Sequence, residues 1–306
     1  MARYVAKRFV SMIITLFLVA TVTFFLMHAV PGQPFEITRE TPEAVKEMLT
    51  EQYGLDKPLM EQYLIYMKNL LSGDFGRSMK FKSQSVVGDL TTKMPVSAII
   101  GFGGVAIGCM IGAVLGCIAA LKNKGFVDYF VIVLAILGVS VPNFVFGSLI
   151  QRYFAVELKM FPIQGWKGWE YAVLPIATAA FTNIAHYARM LRTSMLDTMS
   201  QDYIYTAKSK GLNQREIVTR HMLRNSFLPL VTSLGPMCAG CLTGNFVVEK
   251  IFNVPGIGQS MITAIQNSDY TMIMGLTIIF AFISIICYFI VDIVYGLVDP
   301  RIRIAE

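Results

Sequence analysis

The sequence predicts an all-α polytopic membrane protein with six transmembrane helices and both termini on the cytoplasmic side. Three observations lead there. Of 306 residues, 55% are hydrophobic and only 15% charged, where a soluble domain carries about a quarter charged residues. The deficit falls in runs of twenty or more nearly uncharged residues. A helix rising about 1.5 Å per residue needs that length to cross a hydrocarbon core of roughly 30 Å. Lys and Arg, finally, collect on one side of these runs.

The first expected span covers residues 9–30, behind Arg3, Lys7 and Arg8. Its apolar stretch exceeds a signal-peptide core and no A-x-A site precedes the turn VPGQP, so an uncleaved anchor is expected. The next five are expected at about residues 96–120, 129–150, 171–191, 228–248 and 272–298. The fourth is the least apolar, because Asn183, His186 and Arg189 sit in its second half. With the N-terminus inside, the cytoplasmic pieces are residues 1–8, 121–128, 189–227 and 299–306. These short pieces hold 14 of the 26 Lys and Arg residues. The net charge of +6 thereby belongs to the cytoplasmic face. No basic patch is interleaved with base-stacking aromatics, so nucleic acid is not an expected partner.

Between the first two spans, the outer loop reads as partly helical. Thr41-Pro42-Glu43 supplies an N-cap, a proline at the first helical position and an acid in the first turn, and Gly54 closes that helix. A second helix is expected over residues 58–71, ending at Ser72-Gly73.

Within the second span Gly104, Gly108, Gly112 and Gly116 recur every four residues. In lipid, small residues at this spacing let two helix backbones approach closely. The ridge predicts tight packing without saying whether the neighbour lies in this chain or another. Pro142 in the third span, and Pro229 and Pro236 at the fifth, each remove a backbone donor and should kink or start a helix. Gly240 and Gly244 repeat the small-residue spacing in the fifth.

Chemistry-bearing residues are few. There is no G-x-x-x-x-G-K-[ST], no H-E-x-x-H and no G-x-S-x-G, so no catalytic residue and no metal ligand set is expected. Cys109, Cys117, Cys238, Cys241 and Cys287 all fall inside spans and read as packing residues, not a disulfide framework. Asp292 lies about two turns inside the sixth span, where a carboxylate is either an ion or proton site or one half of an ion pair. Arg152 ends the third span and is expected to snorkel. With His186, these two are the candidate pathway or ion-pair residues.

The basic stretch DYIYTAKSKGLNQREIVTRHMLRNSFLP, residues 202–229, interrupts this apolar chain. Ser200 or Asp202 can cap a first short helix, and Lys208 and Lys210 suit its negative C-terminal end. Gly211 terminates it. Asn213-Gln-Arg-Glu216 resembles a capping box that starts a second helix. Tyr203, Ile204 and Ala207 share one face of the first helix. That face suits either the membrane interface or a soluble cytoplasmic partner.

Here the chain resembles the permeases of ABC importers, whose cytoplasmic loop carries an EAA motif. Tyr205-Thr206-Ala207 and Gly211 occupy the motif positions, with Tyr205 and Thr206 departing from Glu-Ala and Arg224 standing where the wider family has proline. Both departures are similar to the oligopeptide and dipeptide branch, whose form YxxTAxxKGL…RHxLRNxxxP reads here from Tyr203 to Pro229. The resemblance runs through VPGQP, YGLDKPLMEQYL, LLSGDFGRS, VPNFVFG, FVVEKIFNVPGIG and DPRIR, in order along nearly the whole chain.

The resemblance implies a B-type permease of the bacterial inner membrane. It would work with a homologous second permease, two ABC ATPase subunits and an extracytoplasmic peptide-binding protein, all within membrane lipid. No cofactor is expected on this chain, with ATP and Mg held by the ATPases. Tyr203, Ile204, Tyr205, Thr206, Ala207, Lys208, Lys210, Gly211 and Leu212 would form the coupling helix that docks on an ATPase. The chain then divides into residues 1–30, an extracytoplasmic loop 31–94, a core 95–298 with the coupling loop at 192–227, and a tail 299–306. Two other readings stay open: a nickel, glutathione or other small-solute permease of the same branch, and a proton-coupled secondary transporter using Asp292.

Overall fold

A computed structural model describes residues 2–29, 57–81 and 83–298. The helix expected from Thr41 to Gly54, the VPGQP turn and the tail from residue 299 lie outside the described residues. Among those described, the regular elements are helices, in the order α1 (Ala2–Ala29), α2 (Leu59–Leu71), α3 (Val86–Leu121), α4 (Phe126–Ser140), α5 (Asn143–Ile150), α6 (Glu170–Met199) and α7 (Asp202–Ser209), then α8 (Gln214–Glu216), α9 (Leu223–Ser226), α10 (Leu228–Thr232), α11 (Leu234–Thr243), α12 (Phe246–Ile251), α13 (Ile257–Gln266) and α14 (Tyr270–Val298). Wider π-helical turns continue α5 over Gln151–Glu157 and join α8 to α9 over Ile217–Met222.

Three described helices are long and apolar enough to cross a membrane: Val5–Ala29, Val86–Leu121 and Tyr270–Val291. Two bent pairs raise the number to five if each is one span. The expected third span is one of these. Its halves, Phe126–Ser140 and Asn143–Glu157, meet at 102°. Pro142 has no N–H to continue the ladder, and the residue before it, Val141, is pushed to an extended ψ of 114°. The expected fifth span is the other, bent by 47° between Gln214–Leu230 and Gly235–Ile251. The fourth, α6, has 30 residues, but its polar residues keep it out of the apolar set.

α6 is nevertheless the hub. It runs parallel to α3, with Gly104 against Ala179, Gly108 against Asn183, Gly112 against Tyr187 and Gly116 against Ala188. A Cβ at Gly104 would come within 2.6 Å of the Ala179 Cβ, so the glycine ridge sets how closely the two axes approach. The ridge's neighbour is therefore this chain's own fourth helix. α4 and α5 descend antiparallel along another side of α6: Gly138 meets Ala185, and Gly147 meets Thr178. Gly240 and Gly244 do not extend the pattern. A Cβ at Gly240 would meet nothing within 4 Å, and Gly244, at φ +90°, ends α11.

α3 starts ten residues earlier than expected, because Ser85 Oγ accepts from Gly88 N at 3.0 Å and caps it. α2 matches the expected second outer helix and packs on α1, where Thr21 Oγ1 and Tyr63 OH lie 2.8 Å apart and Phe24 contacts Tyr63 and Tyr66. Asp269 fixes the start of α14 to the segment between α2 and α3. It accepts from Ser78 Oγ, from Met79 N at 3.2 Å and from Thr271 Oγ1 at 3.0 Å.

Candidate functional site

The basic stretch folds as two helices, as the punctuation suggested. α7 begins after Gln201, not on a cap from Ser200 or Asp202, and Gln201 makes no side-chain cap bond. Its end is a Schellman turn: Leu212 N donates to Ala207 O at 3.3 Å and Gly211 N to Lys208 O at 2.9 Å. That turn needs a left-handed residue, and Gly211 supplies it at φ +78°. Asn213 then opens α8 with a full capping box, accepting from Glu216 N at 2.9 Å while Glu216 accepts from Asn213 N.

The apolar residues of α7 do not act together. Ile204 and Ala207 are buried in a cluster with Ala120, Leu191, Met195, Ile217 and Met222. They join α7 to the C-terminal ends of α3 and α6. Tyr203 is exposed instead, with Tyr205, Thr206, Lys208, Lys210 and Gly211. Leu212 is half-buried against the same cluster. Lys208 Nζ lies 5.6 Å from the Tyr205 ring centroid. An aromatic and cationic outer face thus rides on an apolar inner face sunk into the chain's own core.

Two polar fixings brace the same end. Asp128, at the start of α4, pairs with Arg192 of α6 through both guanidinium Nε and Nη2, the latter at 2.9 Å. It also accepts from Lys124 N at 2.9 Å, closing the turn between α3 and α4. Buried Ser226 donates to Thr198 Oγ1 at 3.0 Å, holding α9 to the end of α6.

The chain matches the model of the binding-protein-dependent transport system inner membrane component over residues 112–304. It matches the N-terminal membrane component of the same system over residues 1–100. It belongs to this family. The permease is 46% identical over 304 residues to the dipeptide transport system permease protein of Bacillus subtilis, covering 99% of both chains. It is 40% identical to that of Lactococcus lactis subsp. cremoris, covering 99% of this chain and 100% of the relative. Against the oligopeptide transport system permease protein of Haemophilus influenzae it is 38% identical over 305 residues, with the same coverage. It is a multi-pass protein of the bacterial inner membrane, from a family of non-catalytic transport subunits.

The other candidate residues of the permease are not brought together. Arg152 pairs with Glu157 at 3.1 Å on the exposed π-helical turn. Its neighbour Gln151 donates to Ile163 O and Ile251 O at 2.9 and 3.1 Å. His186 is exposed on α6. Asp292 lies on α14, with its side chain outside the described residues. Glu249, Asp128 and Arg192 were not singled out in the sequence. Their signal was present: an acid inside the apolar, Gly-rich run FVVEKIFNVPGIG, and an acid and an arginine flanking two consecutive expected spans.

Proposed function

We propose that the chain is the permease subunit of an ATP-driven peptide importer. It forms the translocation pathway with a homologous second permease, and it couples to cytoplasmic ATPases through α7. ATP and Mg bind the ATPases, and an extracytoplasmic peptide-binding protein delivers substrate. In this arrangement α6 is the remaining membrane crossing, which makes six spans with both termini inside. The observation that carries the coupling role is the two-sidedness of α7. Ile204 and Ala207 fix it to α3 and α6, while Tyr203, Tyr205, Lys208 and Lys210 stay exposed. A partner that moves such a helix moves α6 with it, a rigid-body switch that nucleotide drives by its different affinity for two states. The peptide substrate rests on the names of the relatives.

Gly211 tests the coupling. A Cβ there meets nothing within 4 Å, so substitutions act through the left-handed backbone alone. Asn adopts that conformation readily and a β-branched residue does not. Gly211→Val should cut peptide uptake at least tenfold, with the chain still inserted, while Gly211→Asn stays near wild type. The measurement is uptake and ATP hydrolysis by the complex purified from native membranes. Normal transport per ATP in Gly211→Val would overturn the coupling role; elution of the chain without ATPase subunits would overturn the importer.

A further inference from the structure

We infer that His186 and Arg189 of α6 form an anion-recognising position in the translocation pathway that takes the carboxylate of the passing peptide. The inference rests on the importer reading above.

The residues Thr182, His186, Arg189 and Thr193 recur at three- and four-residue spacing and occupy one narrow face of α6. At this level the helix is packed by its own chain on several other sides. α3 packs along Ala179, Asn183 and Tyr187, α4 and α5 along Thr178 and Ala185, and Met237 of α11 reaches Tyr187. The face that stays open is polar: His186, Arg189 and Thr193 are exposed and Thr182 is half-buried.

The position of His186 along α6 sets this face apart from an ordinary solvated surface. His186 lies level with Gly112 of α3, whose Cβ position faces Ile184 and Tyr187. Nine residues separate Gly112 from the inner end of α3, about 13 Å at the helical rise. Arg189 follows one turn nearer that end, level with Gly116, whose Cβ position faces Ala188. Polar side chains exposed within a span face protein or a water-filled space rather than lipid unless they reach the interface. Among the described residues no carboxylate neutralises the guanidinium. Arg189 Nη2 donates to Ala135 O at 3.4 Å, and the nearby acid Asp128 is committed to Arg192.

A second, independent feature falls at the same level. The third span breaks between Ser140 and Asn143, and Asn143 Oδ1 accepts from Thr182 Oγ1, one turn from His186. Phe146 stacks on Phe181 just beyond, with centroids 3.9 Å apart. Non-helical backbone is tolerated at membrane depth where protein or a water-lined cavity surrounds it, and interrupted spans mark substrate sites in transporters. Ser140 and Pro142 are exposed beside this break. An unneutralised guanidinium and an imidazole next to a broken helix suit an anion, and a free carboxylate is common to all unblocked peptides.

The test uses the complete transporter in proteoliposomes, loaded with binding protein and a labelled dipeptide. Single cysteines at positions 186 and 189 are probed with an anionic sulfonate and a cationic ammonium thiol reagent. His186→Cys should react about tenfold faster with the sulfonate, and Arg189→Gln in that background should abolish the preference. Saturating dipeptide should slow modification severalfold. For uptake, Arg189→Gln should raise the half-saturating dipeptide concentration about tenfold, while Arg189→Lys stays within about threefold of wild type. Cysteines that react with neither reagent would place this face under the second permease and overturn the inference, as would unchanged uptake by Arg189→Gln. If Arg189→Gln fails to assemble, the reagent preference at His186→Cys alone decides, and equal rates with the two reagents overturn the inference. Wild-type complex that carries no dipeptide overturns the importer reading and this site with it. A defect limited to the variants leaves the importer standing.

Discussion

Glu249 is a fully buried carboxylate, and every contact it makes is to a donor. Oε1 accepts from Ser97 Oγ at 2.7 Å and Asn245 N at 3.1 Å, and Oε2 from Gln259 N at 2.9 Å, with Gly258 N adding a fourth. Ser97 Oγ in turn accepts from Ile257 N at 2.9 Å. One side chain thus ties α12, the first turn of α13 and α3 together. Glycine is required around it: a Cβ at Gly258 would lie 2.9 Å from the carboxylate. Removing the acceptor leaves buried donors unpaired, so Glu249→Ala should destabilise the permease by about 3–5 kcal/mol. Glu249→Gln keeps one acceptor oxygen and should fall between Ala and wild type. Thermal unfolding of the detergent-purified complex checks the order, and an Ala variant as stable as wild type would refute it.

Among the elements, the α3–α6 pair depends on having no side chains at its contact. Gly108 sits directly against Asn183. Gly108→Leu should therefore wedge the two helices apart and prevent assembly, and Gly108→Ala should lower stability by about 1–3 kcal/mol through overpacking. Gly240, with open space around its Cβ position, should accept Ala within about 1 kcal/mol. Accumulation in membranes and thermal stability of both variants check the contrast. Equal tolerance at the two positions would mean that the ridge does not set the packing. At this scale the sequence foretold contact at Gly104 to Gly116 but could not choose the neighbour. The repeated spacing at Gly240 and Gly244 does not form a second ridge: Gly240 faces open space, and Gly244, at positive φ, ends α11 against Glu249 and Gly258.

For the molecule as a whole, orientation is the quantity to measure. Trp166, Lys167 and Trp169 lie just before the N-terminal end of α6, and Lys210 lies past its C-terminal end. Lys167→Cys should react with an impermeant maleimide in intact cells, and Lys210→Cys only after the membrane is opened. Background should be low, since Cys241 and Cys287 are buried and Cys109, Cys117 and Cys238 are half-buried. Labelling of Lys210→Cys in intact cells would reverse the proposed topology and remove α7 from the ATPase side.

The sequence by itself determined what depends on local order and composition. Long apolar runs, the Pro142 break, the capping box at Asn213 and the left-handed stop at Gly211 each follow from a few neighbouring residues. Only the tertiary structure decided what depends on residues far apart. It assigned the glycine ridge to α6, turned Ile204 and Ala207 of α7 inward and Tyr203 outward, and paired Asp128 with Arg192 across 64 positions. It also left the His186–Arg189 face open. The physical reason is that hydrogen-bond ladders and caps close within a few residues, whereas burial and charge pairing depend on which helices meet, and hydropathy alone does not say which ones do.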